Sequence, residues 1–454
     1  MAIHGISSEQ ETALEQAQTG SPFRIVRSLW ELIETGELLD PRWREIWAKH
    51  RSQAVRNEAA PSEVIESIDE AISRIESVDR AIDQLVFGDN DGICLLLGAG
   101  ASAPAPSSIP TVNRLLPELW RRGRKLGRDD IDRLAEWCDQ RKVTNIEDLL
   151  TAAYLANFAA KSGTISGLLN YFLFREADVE TPMTLRGRAV PSASQVEAAS
   201  VALFQETLQG LFGLLTGTMI PAPPNDGHSA VVDFIRRHPK ATVITTNYDG
   251  CIDEALLTQG VSYSTNLDEG KTLPGSIDLI KIHGSINWTY CDSCHDVREF
   301  DLLKLKEGYA EDTISYAVVG ICRNCGGQRR PLLIPPMGLK FVMFPNLIRL
   351  WNLARERIES ASHLLIVGFS FSEADSYINK VIERSMSFNA KQVMIVFDPD
   401  GALVPSLRRR FSARIEGFDS DRILAAVGSA HELLPKILGS LGLASQGPPH
   451  ELSG

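Results

Sequence analysis

The hydrophobic rhythm of the chain changes abruptly at residue 93. Before that point apolar residues recur at helical spacing. Ile65, Ile68, Ile72, Ile75, Val78, Ile82 and Leu85 follow one another at gaps of 3, 4, 3, 3, 4 and 3, which lays a single apolar stripe along a helix. Pro61-Ser62 supplies a start signal for that helix and Gly88 a stop. Phe23–Ile33 and Trp43–Trp47 predict two shorter helices upstream. Residues 1–88 are therefore expected to form a helical region, either packed on the main domain or serving as an oligomerisation or partner surface.

From residue 93 onward the apolar runs become continuous. Ile93–Leu97, Ala241–Thr246, Leu364–Gly368 and Val393–Phe397 are short and apolar, and Ile277–Ile282 is a fifth of the same kind. Such runs suit strands buried on both faces of a parallel sheet. Helical patterns at Ile252–Leu257, Leu347–Glu359, Tyr377–Met386 and Arg422–Leu438 alternate with them. The alternation predicts an α/β fold, a Rossmann-like doubly wound parallel sheet. Residues 111–238 carry only helical patterns, including Ile146–Ala160 and Val196–Leu215. That is too long for one crossover, so an inserted helical subdomain is expected. Residues 288–330 are expected to form a small zinc ribbon, residues 89–440 the whole catalytic domain, and residues 441–454 a frayed tail.

Charge narrows the function. Acidic residues outnumber basic ones 58 to 46, for a net charge of −12, so phosphate backbones would repel the chain and direct nucleic-acid binding is not expected. The runs Arg121-Arg122-Gly123-Arg124-Lys125 and Arg408-Arg409-Arg410 read as solvated faces, or as docking points for an acidic partner. The opening MAIHGISSEQE lacks the basic and apolar regions of a signal peptide. The uncharged stretches Gly92–Asn113 and Thr207–Asn225 are broken by proline and glycine and do not suit a membrane span. A cytoplasmic protein is expected. Its seven cysteines are an odd number and do not suggest a disulfide framework.

Four motifs carry chemistry. Gly98-Ala99-Gly100-Ala101-Ser102 follows a predicted strand directly. Glycines there allow a tight turn and a close backbone approach to a diphosphate, although a ligand-free turn reads the same way. Thr245-Thr246-Asn247-Tyr248-Asp249 and His283-Gly284-Ser285 end two further strands. Parallel sheets bind ligands at that end, and an imidazole there suits general base work. A polar turn and a structural histidine remain the plain alternatives. Finally, Cys291-x-x-Cys294 and Cys322-x-x-Cys325 are separated by 27 residues. Two such knuckles place four thiolates around a structural zinc, with His295 as a second-choice ligand and free thiols as the alternative.

In this order, and followed by Gly368-Phe369-Ser370, the motifs resemble the sirtuin family over about residues 90–440. The eight-residue interval from His283 to Cys291 is similar as well. The resemblance implies an NAD domain, a zinc ribbon and a helical module around one cleft. It implies that Ala99 and Gly100 line the diphosphate through backbone N–H groups, with Ser102 nearby, and that Gly98 and Thr246 join the cofactor site. Asn247 and Asp249 would face the nicotinamide ribose, and His283 would be the base. Gly368 and Ser370 would contact phosphate or the adenosine ribose, with Asp398 near the adenosine. Where sirtuin deacylases follow the first motif with Gly-Ile-Pro-Asp-Phe-Arg, this chain has Ser108-Ile109-Pro110-Thr111-Val112-Asn113. Their Phe-Gly-Glu stretch is replaced by Leu333-Ile334-Pro335-Pro336-Met337-Gly338. These departures remove the acyl-lysine groove and resemble the divergent sirtuin-like domains of bacterial anti-phage defence.

The leading expectation is thus an NAD glycohydrolase that depletes NAD in defence. It would act as a homo-oligomer or under a partner such as an ATPase or an Argonaute-type protein. A protein deacylase or mono-ADP-ribosyltransferase, and a noncatalytic nucleotide-binding scaffold, are the alternatives.

Overall fold

A computed structural model describes residues 21–34, 42–84, 92–153, 210–267, 275–291, 293–308, 320–334, 347–372, 375–399 and 401–428, with a few isolated positions such as Phe344 and Leu433. The first three helices are α1 (Pro22–Glu34), α2 (Arg42–Arg56) and α3 (Ser62–Gln84). They close around a core of their own, in which Ile25, Leu29, Trp43, Trp47, Ile65, Ile68 and Ile72 are buried. The remaining stripe positions of α3, from Ile75 on, lie outside the described side chains.

The α/β part begins with β1 (Ile93–Leu97), α4 (Val112–Lys125) and α5 (Asp129–Arg141), and residues 146–153 and 210–219 are also helical. It continues through α6 (Asp226–Arg237), β2 (Thr242–Thr245), α7 (Cys251–Thr258), β3 (Tyr263–Ser264) and β4 (Ile277–Lys281). Next come β5 (Gly284–Cys291), β6 (Val297–Glu299), α8 (Leu302–Glu307) and β7 (Arg329–Leu333). The last elements are α9 (Ile348–Ser360), β8 (His363–Val367), α10 (Ser376–Phe388), β9 (Val393–Asp398), α11 (Leu403–Arg414) and β10 (Ile423–Val427). The tail at 441–454 and much of 154–209 lie outside the described residues.

Seven strands form one sheet in the order β10-β9-β8-β1-β2-β4-β3, and every pairing is parallel. This is the doubly wound α/β sheet read from the apolar runs. Alternate residues of β1 explain those runs. Cys94 and Leu96 face a core built with α4, α5, α9 and α10, while Ile93, Leu95 and Leu97 face one built with α6 and α7. With helices on both faces no position of the strand can be polar, and all five residues of β1 are buried. From β1 the chain winds to β2 on one side and later returns to β8 on the other. The crevice over β1 and β8 is therefore the switch point where such sheets take ligands. A smaller antiparallel sheet, β6-β5-β7, lies beside the large one.

One expectation is corrected. Arg422–Leu438 reads as helical, yet Ile423–Val427 forms β10, paired in register with β9 from Ile423↔Met394 to Val427↔Asp398. Ala425 and Ala426 favour a helix locally, and pairing with the exposed edge of β9 overrides that preference. The N-terminal bundle then meets this edge, with Val427 N–H donating to Ser77 Oγ at 3.1 Å.

Candidate active site

Two loops cross at the switch point, and the crossing explains the glycines. Gly98 N–H donates to Val367 O at 2.8 Å and Gly100 N–H to Gly368 O at 2.9 Å. A Cβ on Gly98 would stand 2.5 Å from Gly368 O, and one on Gly368, at φ +64°, would stand 2.2 Å from Ala101 N. Side chains are excluded because backbone meets backbone. The Gly100 amide is therefore engaged by Gly368, and the missing side chain of Gly100 lets the loops cross, since a Cβ there would stand 2.7 Å from Gly368 Cα.

Above this crossing lies a cleft of about 650 Å³ at the carboxyl ends of the strands. Ala99, Gly100, Thr246, Asn247, Asp249, His283, Gly368, Ser370 and Asp398 all line it. Gly98 and Ser102 stand behind that wall. Thr246 N–H donates to Leu97 O at 3.0 Å and fixes the start of the β2 loop. Asn247 N–H donates to Thr245 Oγ1 at 3.0 Å, and its side-chain Nδ2 donates to Ser102 Oγ at 3.1 Å.

Ser102 is buried and meets His228 Nε2 at 3.2 Å. His228 Nδ1 in turn accepts from Asn225 N–H at 3.1 Å, which assigns the proton of the neutral ring to Nε2. Burial holds His228 below the usual imidazole range, so the ring is neutral. Ser102 thus accepts from both the histidine and the asparagine. Asn247 is held with Oδ1 as the group it offers to the cleft. Asp249 Oδ1 accepts from Cys251 N–H at 3.0 Å at the start of α7, and Asp398 Oδ2 accepts from Leu403 N–H at 2.7 Å at the start of α11. Both carboxylates sit where a helix N-terminus favours negative charge.

His283 is buried, with Nε2 at 3.5 Å from Asp375 Oδ1. Its carbonyl accepts from Ile334 N–H at 2.7 Å, and Tyr248 Oη donates to Ile334 O at 3.0 Å. Ile334, which follows β7, therefore ties the small sheet to the cleft. Underneath, Lys281 and Asp253 form an ion pair at 2.7 Å with both side chains wholly buried. Lys281 Nζ also donates to Asp249 O at 2.7 Å.

His228, Asp249 and Cys251 bring their ligand atoms within 4.8 Å of one another. They do not fit a metal. Both ring nitrogens of His228 have protein partners, and burial beside Asp249 keeps the Cys251 thiol protonated. The trio is a hydrogen-bonded support for the Asn247 loop.

The four ribbon cysteines do fit a metal. The sulfurs of Cys291, Cys294, Cys322 and Cys325 lie within 4.8 Å of one another. Cys291 and Cys325 are 3.5 Å apart, and Cys294 and Cys322 are 3.6 Å apart. Tetrahedral zinc with bonds of about 2.3 Å places its sulfurs roughly 3.8 Å apart. Arg329 Nη1 at 3.4 Å from Cys322 Sγ and Gly327 N–H at 3.4 Å from Cys325 Sγ donate toward the thiolates. His295 turns instead to Tyr290 Oη. With all four positions taken by sulfur, the centre would be structural.

Residues 241–325 match the family model described as a SIR2-like domain. Over those residues the chain is similar to SIR2-like domains. The matched segment runs from β2 to the second cysteine pair and contains Asn247, Asp249, His283 and all four ribbon cysteines. A Staphylococcus aureus NAD-dependent protein deacetylase is 25% identical over 151 residues, which are 33% of this chain and 47% of that protein. A Leptospira interrogans NAD-dependent protein deacylase is 26% identical over 216 residues, 47% of this chain and 66% of that one. The chain thus spans about half the length of the staphylococcal relatives it matches. Among solved structures, a Sir2 homolog–NAD complex is 16% identical, with a TM-score of 0.42 over 81% of this chain and 94% of that one. A mutant Sir2 homologue with ADP ribose is 17% identical, with a TM-score of 0.43 over 82% and 99%.

Around the cleft stand further residues to which the motifs gave no role: Glu147, Asn225, His228, Tyr248, Lys281 and Asp375. Three left a trace in the sequence. Asn225-x-x-His228 is a capping box that opens α6. Lys281 is a charge between Ile280 and Ile282 at the end of the run Ile277–Ile282, which marks a buried partner.

Among the described residues no helix is long and apolar enough to cross a membrane.

Proposed function

We propose that this cleft binds NAD and cleaves its nicotinamide–ribose bond with water, releasing nicotinamide and ADP-ribose. The observation that carries the reading is the convergence of five strand-end loops, after β1, β2, β4, β8 and β9, on one cleft at the switch point. The glycosidic electron pair leaves with nicotinamide, which departs neutral, and the ribose passes through an oxocarbenium-like state. Asn247 Oδ1 positions the ribose hydroxyls or the water. Asp249 supports the developing positive charge. His283 takes the proton that water loses as it attacks C1′, with Asp375 facing its Nε2. The four-cysteine centre would hold zinc and keep the ribbon, and through Ile334 the His283 loop, in place.

A second reading, NAD-dependent deacylation, is favoured by the names of the curated relatives. Nicotinamide release from NAD by the purified chain, with and without an acetyl-lysine peptide, separates the two. Release without peptide that falls by about 10²–10⁴-fold in His283→Ala, and also falls in Asn247→Ala, supports the hydrolase. Release that requires peptide reverses the ranking, and no release in either condition favours the noncatalytic scaffold.

The wider reading makes the chain a cytoplasmic, homo-oligomeric effector of anti-phage defence, controlled by its N-terminal helices or a partner protein. Phage infection of cells carrying it should lower their NAD. Unchanged NAD in infected cells would sink that role.

A further inference from the structure

Four carboxyl groups line the cleft, those of Glu147, Asp249, Asp375 and Asp398, and among the described lining residues there is no lysine or arginine. Only His283 can add a positive charge there. A dinucleotide brings a doubly charged diphosphate into this surround. Asp249 and Asp398 are offset by helix N-termini, and Asp375 faces His283. Glu147, on the helical segment 146–153, has no hydrogen-bond partner for its carboxyl among the described residues. Burial first, and then the charges of Asp375 across the cleft and Asp148 beside it, raise its carboxyl to about 8. Two carboxyls in one site part their protonation in this way, one neutral and one ionised.

We propose that Glu147 and Asp375 act as one carboxyl pair that holds a single proton opposite His283, and that this proton admits the anionic nucleotide. Both are positioning residues. Asp375 stays ionised toward the imidazole, and Glu147 stays neutral toward the diphosphate. The helical segment between α5 and α6 thereby contributes directly to the nucleotide site. The proposal rests on the nucleotide reading of the cleft.

The test is calorimetric binding of ADP-ribose to the full chain between pH 7 and 9, a range in which the charge of the diphosphate is constant. A group of pKa about 8 that must keep its proton costs about tenfold in affinity over that span. Wild type should lose that much. Glu147→Gln, with folding checked by circular dichroism, should lose little of its affinity across the range. Asp375→Asn removes one cause of the raised carboxyl, so its midpoint should move to lower pH. A slope that survives Glu147→Gln, or a midpoint unmoved in Asp375→Asn, overturns the pair while leaving the nucleotide site intact. No ADP-ribose binding by wild type at any pH overturns the nucleotide reading, and this proposal with it.

Discussion

The cysteine ribbon takes its four sulfurs from two tight turns 27 residues apart, whereas the cleft takes its side chains from loops spread between Ala99 and Asp398. The ribbon strands pair with near neighbours in a three-stranded sheet; β5 packs Ile286, Trp288 and Tyr290 into the main core, while at the cysteine end Cys294 is half-buried and Cys325 exposed. The cleft stands on seven strands covered on both faces. One region should therefore depend on a bound ion and the other on packing, and they are joined at Ile334. Metal loss, core damage and proton loss should tell them apart.

Metal loss should have the largest effect. Structural zinc contributes about 10–16 kcal/mol in small metal-folded domains, and the cysteine turns, with Cys325 exposed, have little packing to replace it. Chelation, or Cys291→Ser with Cys322→Ser, should lower hydrogen-exchange protection in β5 and β7, most at their cysteine ends, and leave β1 and β8 protected. Mass spectrometry should show loss of one zinc per chain. Retained protection in β5 and β7 after complete metal removal would show that packing, not metal, holds the ribbon. Because Ile334 N–H donates to His283 O, ADP-ribose binding should weaken in the same samples.

The largest effect confined to the sheet should come from Lys281→Met. It strands the carboxylate of Asp253, whose Oδ1 already lacks a hydrogen-bond partner. Breaking a buried pair from one side costs about 3–5 kcal/mol, whereas replacing both partners by apolar groups of similar volume recovers much of it. The urea midpoint should drop in Lys281→Met and return in Lys281→Met with Asp253→Leu. If the double variant is no better than the single one, Lys281 matters through its bond to Asp249 O instead.

These two regions were not equally legible in the sequence. Cys-x-x-Cys states its own geometry, because a knuckle is a local turn and two of them complete a tetrahedron. The strand cores were legible for a similar reason, since burial on both faces leaves only apolar residues in β1 and in Leu364–Val367 of β8. The cleft motifs sit on strand ends, which places Asn247 and His283 by topology alone. Ser102, by contrast, looks like part of the phosphate loop, and only the fold shows it behind the cleft between Asn247 and His228, 126 residues away. Glu147 and Asp375 carry no local signature, because their meaning comes from segments far apart in sequence. Ile423–Val427 was misread because its edge partner, not its composition, makes it a strand.

A smaller effect should follow from Ser102→Ala. It leaves two buried donors, Asn247 Nδ2 and His228 Nε2–H, without their acceptor, at about 1–3 kcal/mol. The loss should appear both in the urea midpoint and in ADP-ribose affinity. A loss of stability alone would mean that the hydroxyl supports packing and does not orient Asn247.

The last effect has a direction that separates the two regions most sharply. Thiolate ligands must be deprotonated to hold a metal, so the ribbon should fail as pH falls. The Glu147 carboxyl acts in the opposite sense. It keeps its proton up to about 8 in the folded chain, while in the unfolded chain it releases it near the usual carboxylate value of about 4.3. Between those values the folded state binds more protons than the unfolded one, so this group lowers stability as pH rises across the window. Glu147→Gln has no proton to lose, and its melting temperature relative to wild type should climb steadily from pH 5 to about pH 8 and then level off. Measuring the difference between the two proteins cancels the titrating groups that do not interact with Glu147, as Asp375 and Asp148 do. A flat difference would mean that Glu147 ionises normally, and acid would then be the only end of the pH range at which ribbon and cleft part company.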